Sequence, residues 1–129
     1  MKKMFFLMTL FLSLTSGAYG RTLKTGTYDL SGGNGGWSTA GYHGEVVIAP
    51  QGDNYKVIWR VGTKQTQVGV GILQDDILSV AFTDIANPSF WGVASYRVNA
   101  WGELEGKWSS YDGAVNKPEH LLWKNHFTY

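Results

Sequence analysis

Glu103 and Glu105 are two carboxylates on one face of a short segment, the kind of pair a glycosidase sets across a sugar bond. Such a pair needs one partner with a raised pKa, and here Lys107 shares the face, which is the pattern of an ionised surface. His43, His120 and His126 are the histidines. His120 and His126 on one strand would stand about 20 Å apart, too far to share a metal without a bend. The chain has no cysteine, hence no thiol nucleophile and no disulfide. "GVGILQ" after Gly69 lacks the third glycine of a dinucleotide fingerprint, and "GGNGG" from Gly32 lacks the lysine of a phosphate loop. Asp75 and Asp76 read as a tight turn. No metal or cofactor is expected, and a carbohydrate-active enzyme built on Glu103 and Glu105 is kept only as an alternative to a protein without catalysis.

The aromatic residues carry a stronger signal. Tyr28, Tyr55, Trp59, Tyr96, Trp108 and Trp123 alternate with polar neighbours and fall on the apolar side of successive segments. Each of the tyrosines and tryptophans has a polar tip that seeks a hydrogen-bond partner when buried. Gly44, Ala94 and Gly106 are small members of the same set. Two arrangements suit this mixture: a filled core with small residues opposite large ones, or an aromatic cup for one small molecule. In the second, Tyr55, Trp59, Tyr96 and Trp108 would line the cup, with Trp37, Phe90, Trp91 and Tyr111 added at its long-loop end.

The elements that must position these residues are strands. Eight are expected, over Gly26–Ser31, Tyr42–Ala49, Tyr55–Val61, Gln65–Ile72, Ile77–Thr83, Trp91–Val98, Glu103–Ser109 and Glu119–Phe127, with Pro50, Pro88 and Pro118 outside them. One alternate set in each is dry and the other wet, as in antiparallel sheets. On the fourth strand the dry set reads Val68, Val70 and Ile72, which leaves Gly69 and Gly71 on the outer face. The connections sort by length. "PQGDN", "LQDD" and "NAWG" are short and belong to one end; "GGNGGWSTAG", "DIANPS" and "SYDGAVNKP" are long and, with the short "VGTK", belong to the other. A meander predicts that sorting, and eight such strands close into an up-and-down antiparallel barrel of lipocalin or avidin character.

The address is read from the first 20 residues. Lys2 and Lys3 precede an apolar run, Met4–Leu14, followed by the small residues Ser16, Gly17, Ala18 and Gly20. This is the plan of a cleaved signal peptide, 1–20, ahead of a barrel domain, 21–129. Cleavage there leaves nine basic and ten acidic residues, a formal charge of −1 in place of +1. That balance gives no basic stripe and excludes a nucleic-acid partner. The expected place is periplasmic or secreted.

A barrel can also turn its dry face to lipid, and loop sorting alone fits an outer-membrane barrel equally. The strands, seven or eight residues in several cases, are short for the 9–11 that a tilted spanning strand needs. In a barrel standing in water, Val47, Ile58, Ile77, Trp91 and Val93 would lie outside, and clustered they would make a homodimer patch.

The segments "YHGEVVI", "YKVIWRVG", "VGVGI", "LSVAF", "GVASYRV", "GELEGKW" and "PEHLL", in that order from Tyr42 to Leu122, resemble a family of small secreted bacterial proteins that often carry the label "fibronectin-binding". The resemblance implies an exported lipocalin- or avidin-like domain without assigned catalytic residues. It implies a binding role toward a small apolar ligand or an extracellular protein, fibronectin being the partner the label names. The Trp- and Gly-rich first loop and the "WKNHFTY" tail depart from the family pattern.

Overall fold

The computed structural model describes residues 22–33, 41–63 and 65–124. Residues 1–20, expected to be a signal peptide, together with Trp37, His126 and the end of the expected last strand, lie outside the described residues. The strands are β1 (Gly26–Gly32), β2 (Tyr42–Gln51), β3 (Asn54–Val61), β4 (Gln65–Gln74), β5 (Ile77–Asp84), β6 (Trp91–Val98), β7 (Leu104–Ser110) and β8 (Lys117–Trp123). Each pairs antiparallel with the next, and β1 closes on β8 through Tyr28 opposite Trp123 and Leu30 opposite Leu121. The result is the eight-stranded up-and-down barrel that the alternation and loop sorting predict.

Two prolines depart from expectation. Pro50 lies one residue from the end of β2, and Pro118 is the second residue of β8. Close to strand ends a missing N–H interrupts little of the ladder. The turn at Asp75 takes a positive φ of 56°, a conformation that aspartate tolerates.

The dry set points inward on seven strands. Ile48, Val57, Leu78, Val98, Leu104 and Leu121 are each no more than 1% exposed and pack the half of the barrel nearest the short connections. Tyr28 is also fully buried there, its hydroxyl donating to the Lys24 carbonyl. Burial of each Val, Leu or Ile contributes on the order of 2 kcal/mol, which a chain without disulfides relies on.

The eighth strand of the pattern is β4, and its phase is the reverse of the one expected. Gly69 pairs with Val57 and Phe82, and Gly71 with Tyr55 and Val80, so the glycines face the interior. Val68, Val70 and Ile72 face out, with Val70 43% and Ile72 61% exposed. The reason is room. A Cβ on Gly69 would stand 2.3 Å from the Ala81 carbonyl oxygen and 3.0 Å from Val80 Cγ1, whereas the outer side of β4 is open. One consequence is a contiguous apolar outer face: Val70, Ala81 and Val93 form a row across β4, β5 and β6, with Trp91 beside it.

Elsewhere the outside is charged. Lys124 bonds Glu45 and stands 3.3 Å from Asp29, and that ammonium holds the Glu45 carboxyl below its ordinary range. These groups are well exposed, so the pairs fasten the β1–β2–β8 seam only weakly.

Candidate functional site

The half of the barrel nearest the long connections is not filled by the described residues. A cup of about 180 Å³ opens there. Its wall is aromatic: Tyr42, Trp59, Phe82, Phe90, Tyr96 and Trp108. Val61 and Ala94 complete the apolar lining, Gln65 and Gln67 bring neutral amides, and Glu119 supplies a carboxylate. The filled core and the cup therefore coexist, one at each end of the same barrel.

Period-two alternation delivers these side chains. Tyr42 continues the inward series of Gly44, Val46 and Ile48, and Glu119 that of Leu121 and Trp123. Glu119 stands between two glycines, Gly32 of β1 and Gly106 of β7, each its direct cross-strand partner. Both lack the side chain that would crowd it. A Cβ on Gly32 would be 2.0 Å from Tyr42 Cζ, and one on Gly106 would be 2.5 Å from Tyr96 Cδ1. The two tyrosine rings thus occupy the space over the two glycines, and from there their hydroxyls reach the carboxylate.

The polar contacts form one directed network. The Tyr42 hydroxyl donates to Glu119 Oε2 at 2.6 Å, and the Tyr96 hydroxyl donates to Oε1. Trp59 Nε1 is shared between Glu119 Oε1 and the Tyr96 hydroxyl, 3.2 Å from each. Trp108 Nε1 donates to the Tyr42 hydroxyl at 2.7 Å. Phe82 braces the indoles, with ring centroids 5.6 Å from Trp59 and 6.1 Å from Trp108.

Every donor to Glu119 in this network is neutral. Burial raises the Glu119 pKa above its ordinary value of 4.5, and the hydrogen bonds from Tyr42, Tyr96 and Trp59 pull it back only in part. The tyrosines respond in the same sense: burial first, and then the Glu119 charge, push Tyr42 and Tyr96 well up, so both stay neutral donors. A carboxyl whose folded pKa is raised favours the native state below its unfolded pKa, and that contribution is lost as pH rises through the folded value. The melting temperature of the wild-type protein is therefore expected to fall, relative to that of Glu119→Gln, as pH rises from about 4 toward neutrality. Paired thermal melts across that range check this; a constant difference between the two would contradict it.

The structure sorts the residues singled out in the sequence. Trp59, Tyr96 and Trp108 meet in the cup. Tyr55 does not reach it: it is the second residue of β3, at the short-connection end, four residues and about 13 Å of strand from Trp59. Trp91 and Tyr111 stand at the correct end but on the outside, their rings stacked 5.3 Å apart. Trp91 has the parity of Val93, which faces out because Ala94 and Tyr96 face in. Glu103 and Glu105 lie away from the cup; Glu103 accepts from Asn99 Nδ2 and lies 3.5 Å from His120 Nε2. Tyr42 and Glu119 are the members of the hydrogen-bonded network that the sequence does not single out, although parity with their apolar neighbours marks both as inward; Phe82, Gln65 and Gln67 of the lining are not singled out either.

No protein-family model matches this chain, and a search of curated proteins finds no match.

Proposed function

We propose that this protein is an exported, non-catalytic binding module that takes one small molecule into the cup at the long-connection end of its barrel. The observation that carries this reading is a barrel packed with hydrophobic side chains at one end and left hollow by the described residues at the other, with six aromatic rings converging on one buried polar network. Pockets of this make-up, mostly apolar with a few placed polar groups, are the usual form of small-molecule sites. The leader-like first 20 residues and the resemblance to secreted barrels labelled "fibronectin-binding" support export. Against an outer-membrane barrel stands the direction of the dry set: Leu, Val and Ile fill the interior, while Asp29, Glu45 and Lys124 occupy the outer face where lipid would lie.

The test is occupancy. Ala94, 5% exposed and part of the cup wall, can be enlarged to fill it. Protein isolated from its native source without detergent should carry a small molecule visible by native mass spectrometry, and Ala94→Phe should not. Two unliganded masses, together with tryptophan fluorescence that no member of a small-molecule library perturbs, would overturn the reading.

A further inference from the structure

We infer that the occupant of the cup is a small organic cation, an ammonium centre held among the rings of Trp59, Phe82, Trp108 and Tyr42 and facing the Glu119 carboxylate. The inference rests on the cup being a ligand site and names the chemistry it selects.

Three observations lead there. First, Glu119 is 7% exposed and, among the described residues, its carboxylate accepts from the neutral Tyr42, Tyr96 and Trp59. No basic side chain is among the described residues that line the cup. Buried carboxylates are ordinarily paired with a cation, and this one reserves that place. Second, Oε1 accepts two hydrogen bonds in the network and Oε2 accepts one. A carboxylate has about four lone-pair sites, so Oε2 retains capacity for a further donor or a close positive charge. Third, the walls are the side chains that attract cations through their π faces, tryptophan foremost. The mouth already displays that attraction: the Lys117 ammonium sits 5.0 Å from the centroid of the Trp108 ring, while remaining exposed and outside the lining.

The combination discriminates against the alternatives. An anion would meet an uncompensated carboxylate. A neutral apolar molecule would fill the rings but leave the charge buried without a counter-ion. A cation with a few carbon substituents answers both the rings and the charge. This replaces the apolar ligand that the aromatic pattern alone suggests.

The experiment compares isosteres on the full chain. Choline and its neutral counterpart 3,3-dimethylbutan-1-ol have nearly the same shape and differ by one charge. Binding is followed by tryptophan fluorescence and calorimetry at neutral pH. Choline is expected to bind at least about tenfold more tightly than the alcohol. Glu119→Gln should abolish that preference, and Trp108→Leu should reduce it, with circular dichroism confirming the folded barrel for each. Among the described residues, the titratable groups near Glu119 are Tyr42 of β2, Tyr96 of β6 and, at the mouth, Lys117 of β8; the tyrosines stay neutral and choline carries no titrating proton on nitrogen. Choline affinity should therefore decline as acid protonates Glu119. Should Glu119→Gln fail to fold, the wild-type isostere comparison and Trp108→Leu carry the test. Equal binding of alcohol and choline would overturn the cation and leave the cup as a ligand site. No response to either at up to about 10 mM would likewise overturn the cation, while the cup as a ligand site is decided separately by the native masses and the library screen above.

Discussion

Trp59→Ala is expected to destabilise the barrel by about 4 kcal/mol, enough to lower its melting temperature by roughly 15 °C or more. Trp59 is 3% exposed, rests against Phe82, and donates its indole N–H toward Glu119 and Tyr96. Truncation removes the largest side chain at the boundary between filled core and cup and takes a donor from a buried carboxylate, and both losses have the same sign. Trp59→Phe separates them. It keeps much of the packing, loses the N–H, and should cost about 1–2 kcal/mol. Urea unfolding of the two variants checks the partition. Against a typical total of about 5–15 kcal/mol, the alanine variant should be marginal or unfolded near physiological temperature. If it lay within about 1 kcal/mol of the wild type, Trp59 would not be part of the core.

Gly69→Val is expected to cost about 3 kcal/mol or more, although valine is the better strand former. The interior gives no room: the new Cβ alone would press on the Ala81 carbonyl and on Val80, and the γ-methyls would meet the packed interior beyond. Val70→Thr, the adjacent position with the side chain outside and 43% exposed, should change stability by less than about 0.5 kcal/mol. The two unfolding midpoints together test the phase of β4. A costly Val70→Thr beside a neutral Gly69→Val would place the glycines outside.

In that phase the hydropathy of β4 and its packing disagree. Hydropathy ranks Val68, Val70 and Ile72 above Gly69 and Gly71, and on the other seven strands the more hydrophobic parity does face in. On β4 the volume of the opposing residues decides instead. Val57, Val80 and Phe82 fill the interior beside it, so the strand turns its smallest side chains toward them. Which strand yields is a property of the closed barrel and not of any one segment. The loop sorting, by contrast, is local and additive, and it led to the correct meander and to the end that carries the cup.

The site was legible in pieces. Trp59, Tyr96 and Trp108 stand out because they are large and alternate with polar residues. Glu119 and Tyr42 share the parity of inward neighbours, yet a carboxylate and a first-in-strand tyrosine do not resemble core. What brings them inside is their meeting, Tyr42 Oη against Glu119 Oε2 across 77 positions of sequence, over a glycine of β1. That encounter depends on β1 closing against β8, which no local pattern encodes. Tyr55 fails for a simpler reason: alternation reports the face of a strand and is blind to distance along it.

The central claim is that Glu119 is a buried carboxyl with no positive partner among the described residues that line the cup. The most direct measurement is the carbon-13 shift of its carboxyl group followed by NMR against pH, without and with choline. The account predicts a midpoint above the ordinary 4.5 in the free protein, moved downward when choline is added. A midpoint at or below 4.5 in the free protein would mean that the barrel already supplies the counter-charge, and it would contradict the account.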